Sequence, residues 1–357
     1  MKYMHKILLF LLVIPLIGYS NNIGKYTKNK VIKKEFTVNS TATLHVTNKY
    51  GNIDIATWND HKIAIKVSIT TNGNDEESVQ KRLDQIDIEF NSGSNSVSAE
   101  TIIEKFNNSW SFWGKSKNVN MEINYEIKMP VTNNVVLNND YGAISIDVLE
   151  GSSKINLDYG SLIIGELKNK NNSFNIDYVN KSTIEYVEEA DINADYTNFS
   201  IEKSKRIKLN ADYSNITLGE IDDMNYNCDY GSLKIETVNT IFGRSDYLPT
   251  TVENLTGTGD FDSDYGSIKI NGIKAGFKKL KINTSYTNVK IKPNSDVSFN
   301  IIANLSYGGF KYNDKFTFRK EITKNTSKYY EGYFNSPNSS AIVELDTNYG
   351  NISFYND

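Results

Sequence analysis

The chain has 357 residues, and 39 Lys and Arg against 43 Asp and Glu give a formal net charge of −4. Nucleic-acid binding needs a basic surface, so this balance excludes DNA and RNA as expected partners. Hydrophobic residues make up 39% of the chain and aromatic residues 12%, which is too apolar for a disordered protein.

Residues 1–20 have the pattern of a secretory signal peptide. Lys2, His5 and Lys6 precede an apolar run at residues 7–17, and the small residues Gly18 and Ser20 follow it. The run is shorter than the ~20 residues that span a bilayer, although a retained membrane anchor is the alternative. No cysteine stands directly after the run, which excludes a lipoprotein anchor. We therefore expect an exported protein (periplasmic, cell-surface or secreted) with no transmembrane span in the mature chain.

A short unit, in which a tyrosine is followed by two small or polar residues and an apolar alternation, recurs along the chain. Its first copy is YGNIDI at Tyr50, and the next copy lies 91 residues later. The interval contains a period-two alternation at residues 62–70, a helical pattern at 74–85, and three further strand patterns at 87–90, 96–103 and 119–129. Because a solenoid needs atypical caps at its ends, we interpret this interval as a capping insert. The predicted division is a signal peptide (1–20), first coils (21–55), a β-rich insert with one helix (56–135) and solenoid repeats with a C-terminal coil (136–357).

An aromatic loop stands out within the insert. Trp110, Phe112 and Trp113 occur in the polar stretch NNSWSFWGKSKN between two predicted strands. One interpretation is a loop tip that contacts sugar rings, a partner or a membrane interface, which makes these residues the candidate ligand contacts. The alternative is that the rings fold back over the cap. Trp58 is expected to pack between the first coils and the insert.

The rest of the chain repeats one unit: an apolar alternation, a tyrosine, two small or polar residues, and a second alternation. Examples are NLDYGSLII, NADYTNFSI and DSDYGSIKI. Successive copies are 17 to 21 residues apart until a final gap of 42. A weaker copy occurs at Tyr247. The predicted structural ladder of tyrosines is Tyr141, Tyr159, Tyr178, Tyr196, Tyr213, Tyr230, Tyr265, Tyr286, Tyr307 and Tyr349.

The spacing within a unit predicts two short strands around a corner. Ile155, Leu157 and Tyr159 share one face of a strand, and Leu162 can return to that face only if the chain bends after the tyrosine. Units of this length are typical of a parallel β-solenoid, here a single-stranded β-helix with coils of about 18 residues, whereas a propeller blade needs ~40–45 residues. The predicted fold class is therefore all-β. Each tyrosine is expected to stack on its equivalent in the next coil.

An aspartate precedes the tyrosine in most units, and two interpretations remain open. The carboxylate could accept backbone N–H groups at the corner as an Asx-turn, which we favour, or the row could bind cations such as Ca²⁺. Asparagines recur at the second position after the tyrosine, where left-handed backbone and side-chain ladders suit them. Cys228, the single cysteine, falls where other units carry small or apolar residues and is interpreted as a small buried hydrophobe.

The quoted repeats, together with NKYGNIDIATWNDHKIAIKVSIT, NYEIKMPVTNNVVLNNDYGAISI and AIVELDTNYGNISF, resemble the bacterial putative-adhesin family. The resemblance runs from about residue 36 to residue 354. It implies an exported β-solenoid and adhesion, and it supplies no catalytic residues. The chain departs from the family near its end, where Gly332 and residues 335–340 replace the usual Gly-rich turn.

The residues favour a binding role over catalysis. Outside residues 1–20 the only histidines are His45 and His61, and no metal, nucleophile-elbow or metalloprotease motif occurs. We therefore expect no cofactor, no metal and no enzyme, and a glycan or protein partner in the cell envelope. A polysaccharide-active lyase or glycosidase is one alternative, with Asp222 and Asp223 as a candidate pair. A self-associating scaffold is another, because Ile352 and Phe354 would lie on an open edge of the terminal coil.

Overall fold

The computed structural model describes residues 24–104 and 118–355 of the chain. These residues are almost entirely β-strand, with one α-helix, which confirms the predicted all-β class. The predicted signal peptide lies outside the described residues. Within the two described ranges, no helix has the length and apolarity that crossing a membrane requires.

The N-terminal part combines parallel and antiparallel pairs. Its elements are β1 (Tyr26–Thr37), β2 (Thr43–Lys49), β3 (Ile53–Trp58), β4 (Lys62–Gly73), α1 (Glu76–Asp84), β5 (Ile86–Gly93), β6 (Ser96–Ile103) and β7 (Val119–Pro130). β2 pairs in parallel with β6, and β3 with β7. β1–β4, β4–β7 and β5–β6 are antiparallel. The strands and the helix that the sequence predicts here are therefore present.

The helix begins and ends where its sequence indicates. Asp75 is the N-cap and accepts a hydrogen bond from the backbone N–H of Ser78 at 3.0 Å. Acidic residues occupy the first turn and basic residues the last turn, which complements the helix dipole. Val79 and Leu83 are buried on the face that packs against β1 and β4.

The repeats form two ladders of parallel strands. Their elements are β8 (Asn134–Asp140), β9 (Ala143–Leu149), β10 (Ser153–Asp158), β11 (Ser161–Leu167), β12 (Asn172–Asp177), β13 (Ser182–Asp195), β14 (Asn198–Asp246), β15 (Pro249–Asp264), β16 (Ser267–Ile273), β17 (Lys279–Ser285) and β18 (Asn288–Pro293). β10 pairs in parallel with β8 and β12, whereas β11 pairs with β9 and β13. The first ladder contains the segments before each tyrosine, and the second contains the segments after it. β13, β14 and β15 each contribute segments to both ladders. Each strand thus bonds to its equivalents one repeat away, as the sequence predicts.

The two ladders enclose a continuous apolar core. In the unit around Tyr159, Ile155, Leu157, Leu162 and Ile164 are all buried, so the second alternation does return inward after the corner. Cys228 is also buried, and burial raises the pKa of its thiol to about 12. The structure thus places this cysteine as a core residue.

The C-terminal elements do not stack in chain order. They are β19 (Phe299–Ser306), β20 (Phe310–Lys311), β21 (Phe316–Thr323), β22 (Ser327–Phe334), β23 (Ile342–Asn348) and β24 (Ile352–Phe354). β23 lies between β17 and β19 and is parallel to both. β24 lies in the same way between β18 and β20. The gap of 42 residues is filled by β20 and by the antiparallel strands β21 and β22, of which β22 pairs with β19.

The prediction that the terminal coil forms an open edge is therefore wrong. Ile352 and Phe354 are each 2% exposed and lie on a strand with a neighbour on both sides. The physical reason is that residues 299–334 continue past the place that the last coil occupies, and the chain end returns to fill it. Self-association through Ile352 and Phe354 loses its structural basis.

The outermost described strands carry charges. β1, which pairs with β4, contains Lys28, Lys30, Lys33 and Lys34. At the opposite end β21 carries exposed basic and acidic residues at 319–321. Charged side chains on an edge strand discourage pairing with another chain.

Candidate functional site

The tyrosines of the repeats form one file along the rod. Neighbouring rings are parallel, with centroids 4.7–5.4 Å apart and interplanar angles of 0–9°. The order in space is Tyr50, Tyr141, Tyr159, Tyr178, Tyr196, Tyr213, Tyr230, Tyr247, Tyr265, Tyr286, Tyr349 and Tyr307. The file thus brings together every tyrosine of the predicted ladder. It adds Tyr50 and Tyr247, which the ladder left out although each opens a recognisable copy of the unit.

These tyrosines do not point into the core, and this corrects the expectation that Tyr159 shares the inward face with Leu157. Every tyrosine of the file has a positive φ, between 52° and 62°. This left-handed conformation turns the side chain out of the strand, and these tyrosine residues are 37–59% exposed. The backbone ladder nevertheless continues through the corner, since the N–H of Tyr159 donates to the carbonyl of Asp177 at 3.0 Å.

The residue after each tyrosine faces the neighbouring coil at close range. A Cβ added to Gly160 would lie 2.0 Å from the carbonyl oxygen of Gly142, so only glycine fits there. Where this position carries a hydroxyl, the side chain bonds to buried backbone. Thr197 Oγ1 lies 2.9 Å from the carbonyl oxygen of Asp195, and the N–H of Val179 donates to it at 3.3 Å. Glycine and threonine are therefore both compatible with this close approach to the neighbouring coil.

Asparagines form a hydrogen-bonded ladder at the second position after the tyrosine. Asn198 Nδ2 donates to Asn180 Oδ1 at 2.6 Å, and Asn215 Nδ2 donates to Asn198 Oδ1 at 2.8 Å. Ser232 continues the ladder by donating to Asn215 Oδ1. The predicted asparagine ladder is present here. A second column of asparagines lies on the outward face of the strands before the tyrosine, where Asn156 donates to Asn138 at 2.7 Å.

The aspartates bond between coils, which corrects the Asx-turn interpretation. Asp195 Oδ1 accepts the backbone N–H of Asp212 at 3.2 Å, and Asp264 Oδ1 accepts that of Ser285 at 2.8 Å. The acceptor therefore belongs to one coil and the donor to the next. Sequence spacing could not reveal this, because a turn two residues on and a strand one coil away are equally compatible with it.

The aspartates also influence one another. The pKa of Asp158, Asp177, Asp212 and Asp246 is raised, first because partial burial disfavours the charged form and then because neighbouring carboxylates of the row repel it. Among the residues that the structure describes, no three His, Cys, Asp or Glu side chains are grouped in a way that could hold a metal ion. The structure thus gives the Asp row an inter-coil hydrogen-bonding role.

The aromatic loop predicted as a ligand contact lies outside the described residues. Trp110, Phe112 and Trp113 fall in the interval between 104 and 118. Their role stays a prediction. Trp58 is described: its Nε1 donates to the carbonyl of Lys62 at 2.8 Å, and the Lys128 ammonium lies 5.9 Å from its ring.

No known protein-family model matches the chain, and no curated protein matches it. Several solved structures resemble it. A putative cell adhesion protein from Clostridium sporogenes is 10% identical, with 92% of this chain and all of that chain covered and a TM-score of 0.20. A putative adhesin from Parabacteroides merdae is 11% identical over 73% and 95% of the two chains, with a TM-score of 0.35. A putative lipid binding protein from Parabacteroides distasonis is 11% identical over 91% and 96%, with a TM-score of 0.29. The first two names agree with the adhesin resemblance of the sequence.

Replacing Tyr213 tests whether the file is external. Tyr213→Ala removes two stacking contacts and is expected to lower the free energy of unfolding by about 1–3 kcal/mol. Tyr213→Gly removes the same contacts but relieves the left-handed conformation, so it should destabilise less than the alanine variant. Chemical denaturation of both variants measures the difference. A loss of roughly 4 kcal/mol or more, as for a buried aromatic ring, would contradict the external position.

Asp177 provides a test of repulsion within the row. Its raised pKa means that the folded chain binds this proton more tightly than the unfolded chain, so stability rises as pH falls from above the raised pKa toward the ordinary carboxyl value. Asp177→Asn should therefore raise the melting temperature at pH 7, and the gain over wild type should shrink as pH is lowered to about 4.

The matched control is Asp296→Asn, an exposed carboxylate outside the row. Thermal melts across the pH range compare the three proteins. A gain for Asp177→Asn that is the same at every pH, or is shared by the control, would show that charge repulsion in the row is not its cause.

Proposed function

We propose that this chain is a non-catalytic binding protein of the cell envelope: an exported β-solenoid rod that holds a glycan or protein partner along its repeated outer surface. The observation that carries the proposal is the regular outer surface, on which successive coils present the tyrosine file, the aspartate row and the asparagine columns in register. Several coils can contact one extended partner at once, so individually weak contacts reinforce each other. Residues 1–20 support export, because they have the composition of a secretory signal.

The electrostatics of the aspartate row favour binding over catalysis. General acid–base catalysis by two carboxylates depends on environments that push their pKa values apart. Here the pKa of Asp158, Asp177 and Asp246 is raised for the same reasons, burial first and neighbouring carboxylates second. The surroundings of these three carboxylates are similar and do not make one of them an acid and another a base. This supports a role in structure and recognition over a polysaccharide-active enzyme.

A glycan array combined with pull-down from envelope extracts tests the proposal. The purified chain lacking residues 1–20 is expected to bind at least one glycan or envelope protein saturably and to leave a bound polysaccharide at its original length. Size-exclusion chromatography of the polysaccharide before and after incubation measures that length. Depolymerisation by the purified protein would overturn the non-catalytic proposal, and absence of binding in both assays would overturn the binding proposal.

The aromatic loop remains the proposed ligand contact of the insert. Trp110→Ala combined with Trp113→Ala is expected to abolish binding of a ligand found in these assays and to leave the melting temperature nearly unchanged. The physical reason is that rings at a loop tip contribute contact area to a partner and little to the core. A large fall in the melting temperature would instead assign these rings, with Phe112, to the packing of the cap.

A further inference from the structure

A shallow depression of about 960 Å³ lies on the outward face of the first ladder, between residues 191 and 283. Two columns of side chains line it. One column contains Asp191, Lys208, Asn225, Phe242, Asp260 and Lys281, and the other contains Asn193, Asn210, Asn227, Arg244, Asp262 and Asn283. We propose that this depression, the Phe242 groove, binds a neutral linear oligosaccharide. The inference rests on the proposed binding function and names its ligand class.

Phe242 supplies a ring face that the tyrosine file cannot. Within the file each ring stacks on its neighbours, so the faces of the internal rings are covered. Phe242 is 45% exposed, and no other ring of the described residues stacks on it. The face of an aromatic ring carries a negative quadrupole that attracts the C–H groups of a sugar ring. Phe242 is therefore placed as a stacking platform.

Planar polar side chains surround this platform. Asn227 Nδ2 donates to Asn210 Oδ1 at 3.2 Å, and this bond does not use the oxygen of Asn227 or the amide N–H groups of Asn210. Both residues line the groove. An amide offers both donors and acceptors, as a sugar hydroxyl does. Arg244 and Asp262 continue the same column in register. A row of polar groups with one aromatic ring suits a polyhydroxyl ligand. It suits a protein partner less well, because protein interfaces depend on apolar anchor residues.

The charges of the groove indicate a neutral ligand. Asp191, Asp260 and Asp262 are balanced by Lys208, Arg244 and Lys281. None of these six takes part in an ion pair within 4.0 Å among the described residues, so each is available to a ligand. An anionic polymer would need an excess of positive charge, and the aspartate row beside the groove would repel it.

The size of the groove indicates several sugar units. Its volume is at the upper end of the range for small-ligand sites, and it extends along successive coils of the rod. A linear chain can therefore lie along the two columns with one ring stacked on Phe242. Because the groove is open, such a chain would be held by several weak contacts along its length.

Phe242→Ala tests the inference. The probes are hexasaccharides of β-1,4-linked glucose, mannose and N-acetylglucosamine, with a hexasaccharide of galacturonic acid as the anionic comparison. Isothermal titration calorimetry is expected to show binding of at least one neutral probe, weakened at least about tenfold by Phe242→Ala and retained by Phe242→Trp. The control Ile163→Ala removes an exposed apolar side chain from the second ladder and should bind as the wild type does. Because Phe242 is exposed, thermal melts of the variants should match the wild type.

The outcomes separate the groove from the general function. Unchanged affinity in Phe242→Ala, binding of the anionic probe alone, or binding of no neutral probe would each overturn the groove proposal. If the glycan array or pull-down still finds a partner in that case, the binding function stands and its site lies elsewhere. If neither assay finds a partner, both proposals fail.

Discussion

The fold depends on one backbone constraint, which is a left-handed turn at the same place in every coil. Among the described residues, twelve tyrosines adopt φ values of 52–62°, a conformation that costs a non-glycine residue roughly 1–2 kcal/mol. Each ring pair contributes about 0.5–1.5 kcal/mol, an amount comparable with the strain at one corner. Because the rings stack only when their corners are aligned, the contact that offsets the strain also fixes the register of neighbouring coils.

The same corner determines what can follow it. The backbone passes close to the neighbouring coil, and the next position carries glycine, as at Gly160, a hydroxyl that bonds to backbone, as at Thr197, or a buried apolar side chain, as at Val179. Beyond it the chain returns to strand geometry, and the asparagine ladder links successive coils at Asn180, Asn198 and Asn215. The outer surface is therefore regular because the backbone is regular, and a ligand that follows the rod meets the same groups repeatedly.

Local periodicity predicted the interior of the repeats and failed at the corner. The inward positions of Ile155, Leu157, Leu162 and Ile164 follow from alternation, and the 17–21-residue period indicates parallel stacking. The outward turn of Tyr159 could not be read from the sequence, because large aromatic residues rarely adopt positive φ and parity treats them as strand residues. The position of β23 between β17 and β19 could not be predicted either, because the local sequence of β23 does not indicate which strands it pairs with. Phe242, by contrast, could have been found from the sequence. In NTIFGRS it occupies an outward position of the alternation, and this position is polar in most other coils.

The insertion of β23 and β24 between strands that precede them in the chain affects how such a rod can change in length. Whole turns can be gained or lost in the middle, because each meets neighbours of the same kind on either side. The final turn is different, because β23 lies between β17 and β19, and β24 lies between β18 and β20, all of which precede them in the chain. A chain that stops short of residue 342 would leave these positions unfilled, with β17 and β19 facing each other across a gap. The parallel pairing at this end of the rod therefore depends on residues 342–354.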